Sequence, residues 1–220
     1  MYLAFLAVLR TGFEIGVLDP RDTVQLNDAA AVATRAFQFD PFFVYLSPRP
    51  LQRARGLGIF FRSQIAALGG RSEMLAARQP DGRLVGVACW VKPDGYPLPV
   101  GVQLRQSLGA FWALIPRPKA LVDGTRYISA IDKAHPKEPS WYLFLLVADP
   151  SVQRSGIGTE LQQAVLERAD TDGLPAYLET QNLENLAYYR RFGYEVADEL
   201  HPVPGGPPLW TMRREPRTIS

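Results

Sequence analysis

A glycine-containing loop between two apolar segments carries the clearest chemical signal in this sequence. The loop runs from Val147 to Gly158 and contains Arg154 and Gly156. A loop that enters a helix presents unpaired backbone N–H groups, and the helix dipole also favours an anion at that end. Glycines lack a Cβ, so a pyrophosphate can approach the backbone closely, and the arginine adds charge. The pattern predicts a binding site for a diphosphate-bearing cofactor.

Two common diphosphate loops do not match these residues. The dinucleotide fingerprint requires a third glycine and an acidic residue on the next strand, but position 161 is Leu161. The P-loop requires Gly-Lys followed by Ser or Thr, which this loop lacks. Two glycines before a helix can also form an ordinary turn, and for the loop alone that alternative stays open.

Two segments at a characteristic interval resemble a known family. The motif Gln153-x-x-Gly156-x-Gly158 is similar to the acyl-CoA loop of the GNAT superfamily of N-acyltransferases. Residues 185–194 are similar to its Asn-x-x-x-Tyr-x-x-x-Gly-Phe/Tyr segment. The resemblance implies an acyl-CoA-dependent N-acetyltransferase with an α/β (α+β) fold. Its central sheet would be mixed, mostly antiparallel and flanked by helices, with splayed central strands holding acetyl-CoA.

Three further segments are similar to the branch that contains puromycin N-acetyltransferase. They are residues 141–143, 178–180 and 210–212, and the likeness is specific only over residues 141–213. In that branch a His often precedes the Trp-Tyr-Leu run, whereas this chain has Ser140. If that His assists proton removal, this chain must use another base or water.

The resemblance assigns roles to residues of the second half. The backbone groups of Leu146, Val147 and Ala148 are expected to pair with the pantetheine arm. Asn185 is expected to contact the cofactor arm, and Tyr189 to lie beside the thioester sulfur. The expected pyrophosphate cradle consists of Gln153, Arg154, Ser155, Gly156, Ile157, Gly158 and Thr159.

The implied chemistry is direct attack of an amine on the thioester carbonyl. A backbone N–H on the splayed strand can stabilise the oxyanion that forms. Tyr189 can protonate the leaving thiolate because a tyrosine hydroxyl, with a pKa of about 10, is protonated at neutral pH. Tyr188 is interpreted as a packing residue. Glu179 lies on a predicted strand, where it could accept the amine's proton, directly or through water, or bond to a neighbouring loop.

The first half is expected to build the acceptor site, so that residues 1–140 and 141–213 form two functional halves of one domain over residues 1–220. Asp40 could select a cationic amine, or it could be the turn residue that often precedes a proline. We expect the acceptor to be a small-molecule primary amine rather than a protein tail. Six aromatic residues are candidates for its pocket: Phe39, Phe42, Phe43, Tyr45, Phe111 and Trp112.

The composition makes several classes of function improbable. The 220 residues have a formal net charge of +2, and their 24 Lys and Arg residues are dispersed, so no nucleic-acid partner is expected. Cys89 is the single cysteine and lies in an apolar run, which favours a buried strand residue over a reactive thiol and allows no disulfide. His135 and His201 are far apart in sequence, so no metal site is expected.

The apolar residues 1–9 do not predict a membrane segment. Arg10 ends the run too early to cross a bilayer, and no basic residue precedes it as in a secretory signal. We expect a cytoplasmic protein without a membrane partner, and a homodimer is compatible with the sequence. Two other functions stay open, namely a non-catalytic acyl-CoA sensor or scaffold and an enzyme for another diphosphate cofactor.

Apolar periodicity and turn residues predict the elements that position these groups. Residues 116–139 give no readable pattern. Helices are predicted over residues 23–37, 51–68, 102–115, 157–169 and 185–192, and strands over residues 13–18, 74–78, 84–91, 141–147, 176–180, 194–196 and 209–212.

Overall fold

The computed structural model describes residues 7–8, 12–114 and 117–217, with the side chains of residues 7–8 and 109–114 outside that description. The strands are Ala7–Val8 (β1), Glu14–Val17 (β2), Ser72–Arg78 (β3), Leu84–Val91 (β4), Trp141–Ala148 (β5), Ala176–Thr180 (β6), Glu195–Leu200 (β7) and Leu209–Arg214 (β8). The helices are Thr23–Ala36 (α1), Pro41–Leu46 (α2), Pro50–Leu68 (α3), Val100–Leu114 (α4), Pro118–Ala134 (α5), Ile157–Asp172 (α6) and Leu183–Arg190 (α7).

The strands form one eight-stranded sheet in the order β1-β2-β3-β4-β5-β6-β8-β7. Every neighbouring pair is antiparallel except β5 and β6, which run parallel. This arrangement confirms the predicted mixed, mostly antiparallel sheet flanked by helices. The strand order also places β5, which leads into the glycine-containing loop, at the centre of the sheet.

The sheet separates two apolar cores. All residues of β4 are buried, and successive side chains point to opposite faces. Cys89 and Val91 join the core beneath α1 and α3, whereas Trp90 joins the core beneath α6 and α7. Burial raises the pKa of the Cys89 thiol to about 12, so the expected structural role of this cysteine is confirmed.

A long excursion, residues 92–140, connects β4 to β5. It contains α4, which corresponds to the helix predicted over residues 102–115, although Ile115 lies outside the described residues. It also contains α5, which was not predicted. The buried residues of α5 are Ala120, Asp123 and Tyr127. The helix was missed because its sequence contains Pro118 at the start and Gly124 in the middle, and these residues more often mark turns.

The aromatic segment before α3, for which no element was predicted, forms the short helix α2. Pro41 occupies the first turn of α2, where its missing N–H removes no hydrogen bond. The carboxylate of Asp40 caps this helix by accepting hydrogen bonds from Phe42 N at 3.0 Å and Phe43 N at 3.4 Å. The cap supports the turn role of Asp40, which was one of the two alternatives for this residue.

A buried ion pair ties the end of α6 to β8. Arg214 donates two hydrogen bonds of 2.7 Å to the carboxylate oxygens of Asp170. The side chains of Arg214 and Asp170 are 3% and 13% exposed. The hydrogen bond from Arg214 lowers the pKa of Asp170, together with a bond from Arg217 N.

Replacing Asp170 with Asn is expected to lower the free energy of unfolding by about 3–5 kcal/mol, because Arg214 would remain buried without its counter-charge. Since the pKa of Asp170 is lowered on folding, its stabilisation is present above the ordinary value of 3.8 and is lost as the pH falls through the folded-state pKa. Urea titrations at pH 7 and at pH 3 measure both effects.

The exposed pair of Asp19 and Arg21 provides the control for this experiment, because its side chains are 42% and 89% exposed. Asp19→Asn should leave the urea midpoint unchanged. Equal midpoints for Asp170→Asn and the wild type at pH 7 would contradict the stabilising role of the buried pair.

Candidate active site

Asp149 anchors the glycine-containing loop where β5 ends. Its carboxylate accepts hydrogen bonds from Ser151 N at 3.0 Å and Ser151 Oγ at 2.7 Å, and from Arg35 Nε at 2.7 Å. Burial favours the neutral acid, but these bonds and the charge of Arg35 lower the pKa of Asp149 overall. The ionised carboxylate therefore joins the loop to α1.

The loop enters α6 through two residues with left-handed backbone. Arg154 has φ 66° and Gly156, the N-cap of α6, has φ 92°. The first N–H groups of a helix have no partner within it, so the start of α6 presents donors to an anion. The predicted cradle of residues 153–159 comprises this turn and the first residues of α6. Within it, Ser155 N donates to Val152 O at 3.4 Å and Thr159 N donates to Gly156 O at 2.9 Å. Ser155 Oγ donates to Val152 O at 2.6 Å, so its hydroxyl closes the turn rather than facing outward as an extra donor.

Helix α7 packs directly against the start of α6. A Cβ on Gly158 would lie 2.7 Å from Tyr188 Oη, closer than two such atoms normally approach. On the other side of α6, a Cβ on Gly86 would lie 2.6 Å from the Ile157 side chain. The absence of side chains at Gly158 and Gly86 therefore fixes where α6 begins, and Tyr188 has the packing role expected of it.

Strands β5 and β6 separate after a short contact. They pair only at Trp141 with Ala176 and at Tyr142 with Tyr177. The register between β4 and β5 shifts next to Cys89, where Phe144 is the extra residue of a β-bulge. Beyond this bulge β5 keeps β4 as its neighbour, but no strand among the described residues pairs with its other edge, so the predicted splay is present.

Only two of the three residues expected to pair with the pantetheine arm have backbone groups that point towards the gap. Asp149 N donates to Val85 O at 2.8 Å, next to the pair of Ala148 and Gly86. In an antiparallel ladder every second residue bonds to the partner strand. Val147 therefore bonds to β4, contrary to its expected role, whereas the backbone groups of Leu146 and Ala148 point towards the gap.

Tyr189 is buried in the core beneath α6 and α7 and is 9% exposed. Its ring makes edge contacts with Tyr188 and Tyr194, with centroids 5.2 Å and 5.8 Å away. Burial raises its pKa, so the hydroxyl holds its proton at neutral pH. This is the protonation state that a general acid requires.

Asn185 links the start of α7 to the end of β6. Its Nδ2 donates to Thr180 Oγ1 at 3.0 Å, and the same oxygen accepts a bond of 3.3 Å from Asn182 N. The side-chain nitrogen is therefore used within the protein. A contact of Asn185 with the cofactor arm stays a prediction.

Glu179 lies on β6 beyond its last pair with β5. The carboxylate lies beside the rings of Tyr142 and Tyr177, and His135 Nδ1 is 3.9 Å from Glu179 Oε1. His135 lies in the loop that follows α5, so both alternatives for Glu179, a bond to a neighbouring loop and a role as proton acceptor, stay open. His135 was not predicted as a site residue, because it follows the unpredicted α5 and is distant in sequence from Glu179.

A cavity of about 260 Å³ opens on the α3 side of the sheet. Phe42 and Phe43 line it as predicted, but Phe39 is 82% exposed and Tyr45 instead donates to Asp123 at 2.9 Å. The side chains of Phe111 and Trp112 lie outside the described residues. Aromatic residues that line the cavity without having been predicted are Phe60, Tyr127, Tyr142 and Phe144.

Within residues 7–8, 12–114 and 117–217, no helix is long and apolar enough to cross a bilayer. No three side chains of His, Cys, Asp or Glu in these ranges lie close enough together to hold a metal ion.

Replacing Gly158 with Ala is expected to weaken binding of coenzyme A about tenfold or more, because the new Cβ would displace Tyr188 or the first turn of α6. The double variant with Tyr188→Phe should recover much of this affinity, since the nearest remaining atom, Tyr188 Cζ, is 3.6 Å away. Isothermal titration with coenzyme A measures both. Wild-type affinity in Gly158→Ala would show that this close packing does not shape the loop.

Comparison with known sequences assigns the chain to a family. The acetyltransferase (GNAT) family matches residues 40–194 of the 220. An uncharacterized N-acetyltransferase of Schizosaccharomyces pombe is 32% identical over 83 residues, which are 37% of this chain and 34% of that protein. A mycothiol acetyltransferase of Brachybacterium faecium is 36% identical over 58 residues, 25% of this chain and 18% of that protein. The chain thus matches about a third or less of the length of these curated relatives.

Solved structures agree with the fold. The crystal structure of "histone acetyltransferase HPA2 and related acetyltransferase" from Corynebacterium glutamicum is similar, with a TM-score of 0.62 at 24% sequence identity. The match covers 90% of this chain and 94% of that chain. Arylalkylamine N-acetyltransferase 2 from Aedes aegypti has a TM-score of 0.54 at 11% identity, covering 92% and 98%. Since the matched residues 40–194 include the loop, the splayed strands and Tyr189, this chain belongs to the acetyltransferase (GNAT) family.

Proposed function

We propose that this chain transfers an acetyl group from acetyl-CoA to the primary amine of a small molecule, with Tyr189 as general acid. The gap between β5 and β6 is the observation that carries the proposal. It leads from the glycine-containing loop at the end of β5 to the cavity lined by Tyr142 and Phe144. A donor held by the loop and an amine held in the cavity would therefore meet on β5.

Acetyl-CoA fits the residues on the donor side. The start of α6 offers its N–H groups to the pyrophosphate, and Arg154 adds a positive charge. Leu146 and Ala148 offer backbone groups to the pantetheine arm along the open edge of β5. When bound, acetyl-CoA supplies an electrophilic thioester carbonyl and a thiolate leaving group.

In the proposed reaction, groups of the protein would stabilise the oxyanion and transfer the protons. The N–H of Leu146, which points towards the gap, is suited to stabilising the oxyanion of the attacked carbonyl. Tyr189 would donate its proton to the departing sulfur, and Glu179, on the acceptor side of the sheet, would accept a proton from the amine. No covalent enzyme intermediate is needed.

The cavity supports a compact, largely apolar acceptor. Its walls are mainly aromatic and aliphatic, and Asp132, the carboxylate that lines it, already accepts a hydrogen bond of 2.7 Å from Tyr96 Oη. A polycation would need several carboxylates along its length, whereas a single ammonium group near Glu179 would suffice for a monoamine. The resemblance to the puromycin N-acetyltransferase branch also favours a small molecule. In this proposal residues 1–140 supply most of the acceptor cavity, to which Tyr142 and Phe144 also contribute, and residues 141–213 bind acetyl-CoA.

Replacing Tyr189 with Phe is expected to reduce kcat roughly 100-fold or more, because the thiolate would leave unprotonated. The KM for acetyl-CoA should change little. Release of the CoA thiol from acetyl-CoA, followed against a panel of small primary amines, measures both constants.

Tyr194→Phe is the matched control, because Tyr194 is a buried neighbour of Tyr189 whose hydroxyl has no hydrogen-bond partner among the described residues. It should retain wild-type kcat. Equal rates for Tyr189→Phe and the wild type would remove Tyr189 as the acid. Coenzyme A binding without thiol release for any amine would favour an acyl-CoA sensor.

Phe60→Ala should raise the KM for the preferred small amine about tenfold and admit bulkier amines, because Phe60 lines the cavity and packs on Phe43. The affinity for coenzyme A should not change. A series of primary amines of increasing size measures the effect, with exposed Phe39→Ala as the control. Unchanged amine selectivity in Phe60→Ala would contradict the assignment of this cavity to the acceptor.

A further inference from the structure

His135 and Glu179 form a buried pair of complementary groups outside the cofactor site. Their side chains are 3% and 6% exposed, and His135 Nδ1 lies 3.9 Å from Glu179 Oε1. Within the residues that the structure describes, neither of these two atoms has a hydrogen-bond partner. A buried polar atom without a hydrogen-bond partner costs free energy. A shift of about 1 Å that brought Nδ1 and Oε1 within hydrogen-bond distance would therefore be favourable.

Three aromatic rings hold the imidazole of His135 in one orientation. Tyr96 stacks on it with centroids 3.5 Å apart and an interplanar angle of 24°. Tyr142 and Tyr177 contact it edge-on, with centroids 4.8 Å and 4.9 Å away. The stacked Tyr96 is itself fixed by its hydrogen bond to Asp132. The ring is therefore held with Nδ1 facing Glu179.

The pair lies where the acceptor and the thioester would meet. Tyr142 and Tyr177 form the last paired position of β5 and β6, and both contact His135. Tyr142 also lines the cavity. Glu179 follows Tyr177 by two residues on β6 and so lies at the point where the gap opens.

The other ionisable groups around the pair are tyrosines and two carboxylates. Burial raises the pKa of Tyr96, Tyr142 and Tyr177, so these rings stay neutral. Asp132 contacts the cluster through Tyr96, and Asp198 influences it through Tyr177. Among the described residues, no lysine or arginine belongs to the groups that act on these three tyrosines. His135, 3.9 Å away, is the basic side chain that faces Glu179.

We propose that His135 and Glu179 act as one proton-accepting pair, in which Glu179 takes a proton from the attacking amine and His135 is the positioning residue that orients its carboxylate. The assignment of the amine as proton source rests on the proposed function. An ammonium substrate has three N–H protons, and the amide product keeps one of them. One proton ends on the CoA sulfur by way of Tyr189, and the other leaves to solvent from the pair.

A double-mutant cycle tests whether the two residues act together. His135→Asn and Glu179→Gln should each lower kcat roughly 100-fold, and the double variant should be no slower than the slower single variant by more than about threefold. The KM for acetyl-CoA should stay unchanged in all three. His201→Asn, which alters the exposed second histidine, is the control and should retain full activity. If the two reductions in kcat multiplied in the double variant, the two residues would act independently, and the proposed pair would be wrong.

A spectroscopic measurement is independent of turnover. The chain has two histidines, so long-range 1H–15N spectra resolve both imidazoles once His201→Asn assigns them. At a pH where the rings are neutral, a carboxylate facing Nδ1 should hold the proton on that nitrogen, and Glu179→Leu should shift His135 to the Nε2–H tautomer. The same tautomer in the wild type and Glu179→Leu would also overturn the pair.

The two measurements separate the possible failures. Absence of thiol release in the wild type with every amine would contradict the proposed function, while the tautomer still decides whether His135 and Glu179 interact. If His135→Asn does not fold, His135→Gln replaces it in the cycle, and coenzyme A affinity confirms that each variant is intact.

Discussion

The architecture depends on the fact that β5 cannot satisfy both of its edges. β6 bonds along its whole length to β8, so it stays with that neighbour and leaves β5 after two residue pairs. The backbone groups on the open edge of β5 then need partners, because unpaired buried amides and carbonyls cost free energy. Water or a ligand must supply them. A pantetheine arm, which carries two amides in an extended chain, is suited to such an edge, and this edge is where the proposed function places the acetyl donor.

The groups proposed to donate and to accept protons lie on opposite faces of the sheet. The face with α6 and α7 carries the loop and Tyr189, and the face with α3 and α5 carries the cavity, His135 and Glu179. A proton donor and a proton acceptor are thus kept on different sides of the reacting strand. This separation prevents the two groups from neutralising each other directly, so that each can hold the protonation state that its role requires.

Local patterns were sufficient for most of the C-terminal half. The apolar run of β5 and the glycines before α6 predicted the loop, because these features depend on neighbouring residues. The alternation that turns Val147 away from the gap could not be predicted, since it depends on the bulge at Phe144 and on pairing with β4. The proximity of His135 and Glu179 could not be predicted either. It depends on the position of α5, which was not predicted because Pro118 and Gly124 more often mark turns than helices.

The excursion between β4 and β5 begins and ends at neighbouring positions, because Val91 pairs with Tyr142. A segment anchored in this way resembles an enlarged hairpin turn, and its length hardly affects the entropy of closing it, since doubling a loop adds only about 0.6 kcal/mol. Residues 92–140 can therefore be exchanged or lengthened during evolution while the strands beneath keep their register. Under the proposed function, sequence changes in this one segment would alter the part of the acceptor cavity that Tyr127, Ile128 and Ile131 line and leave the glycine-containing loop unchanged.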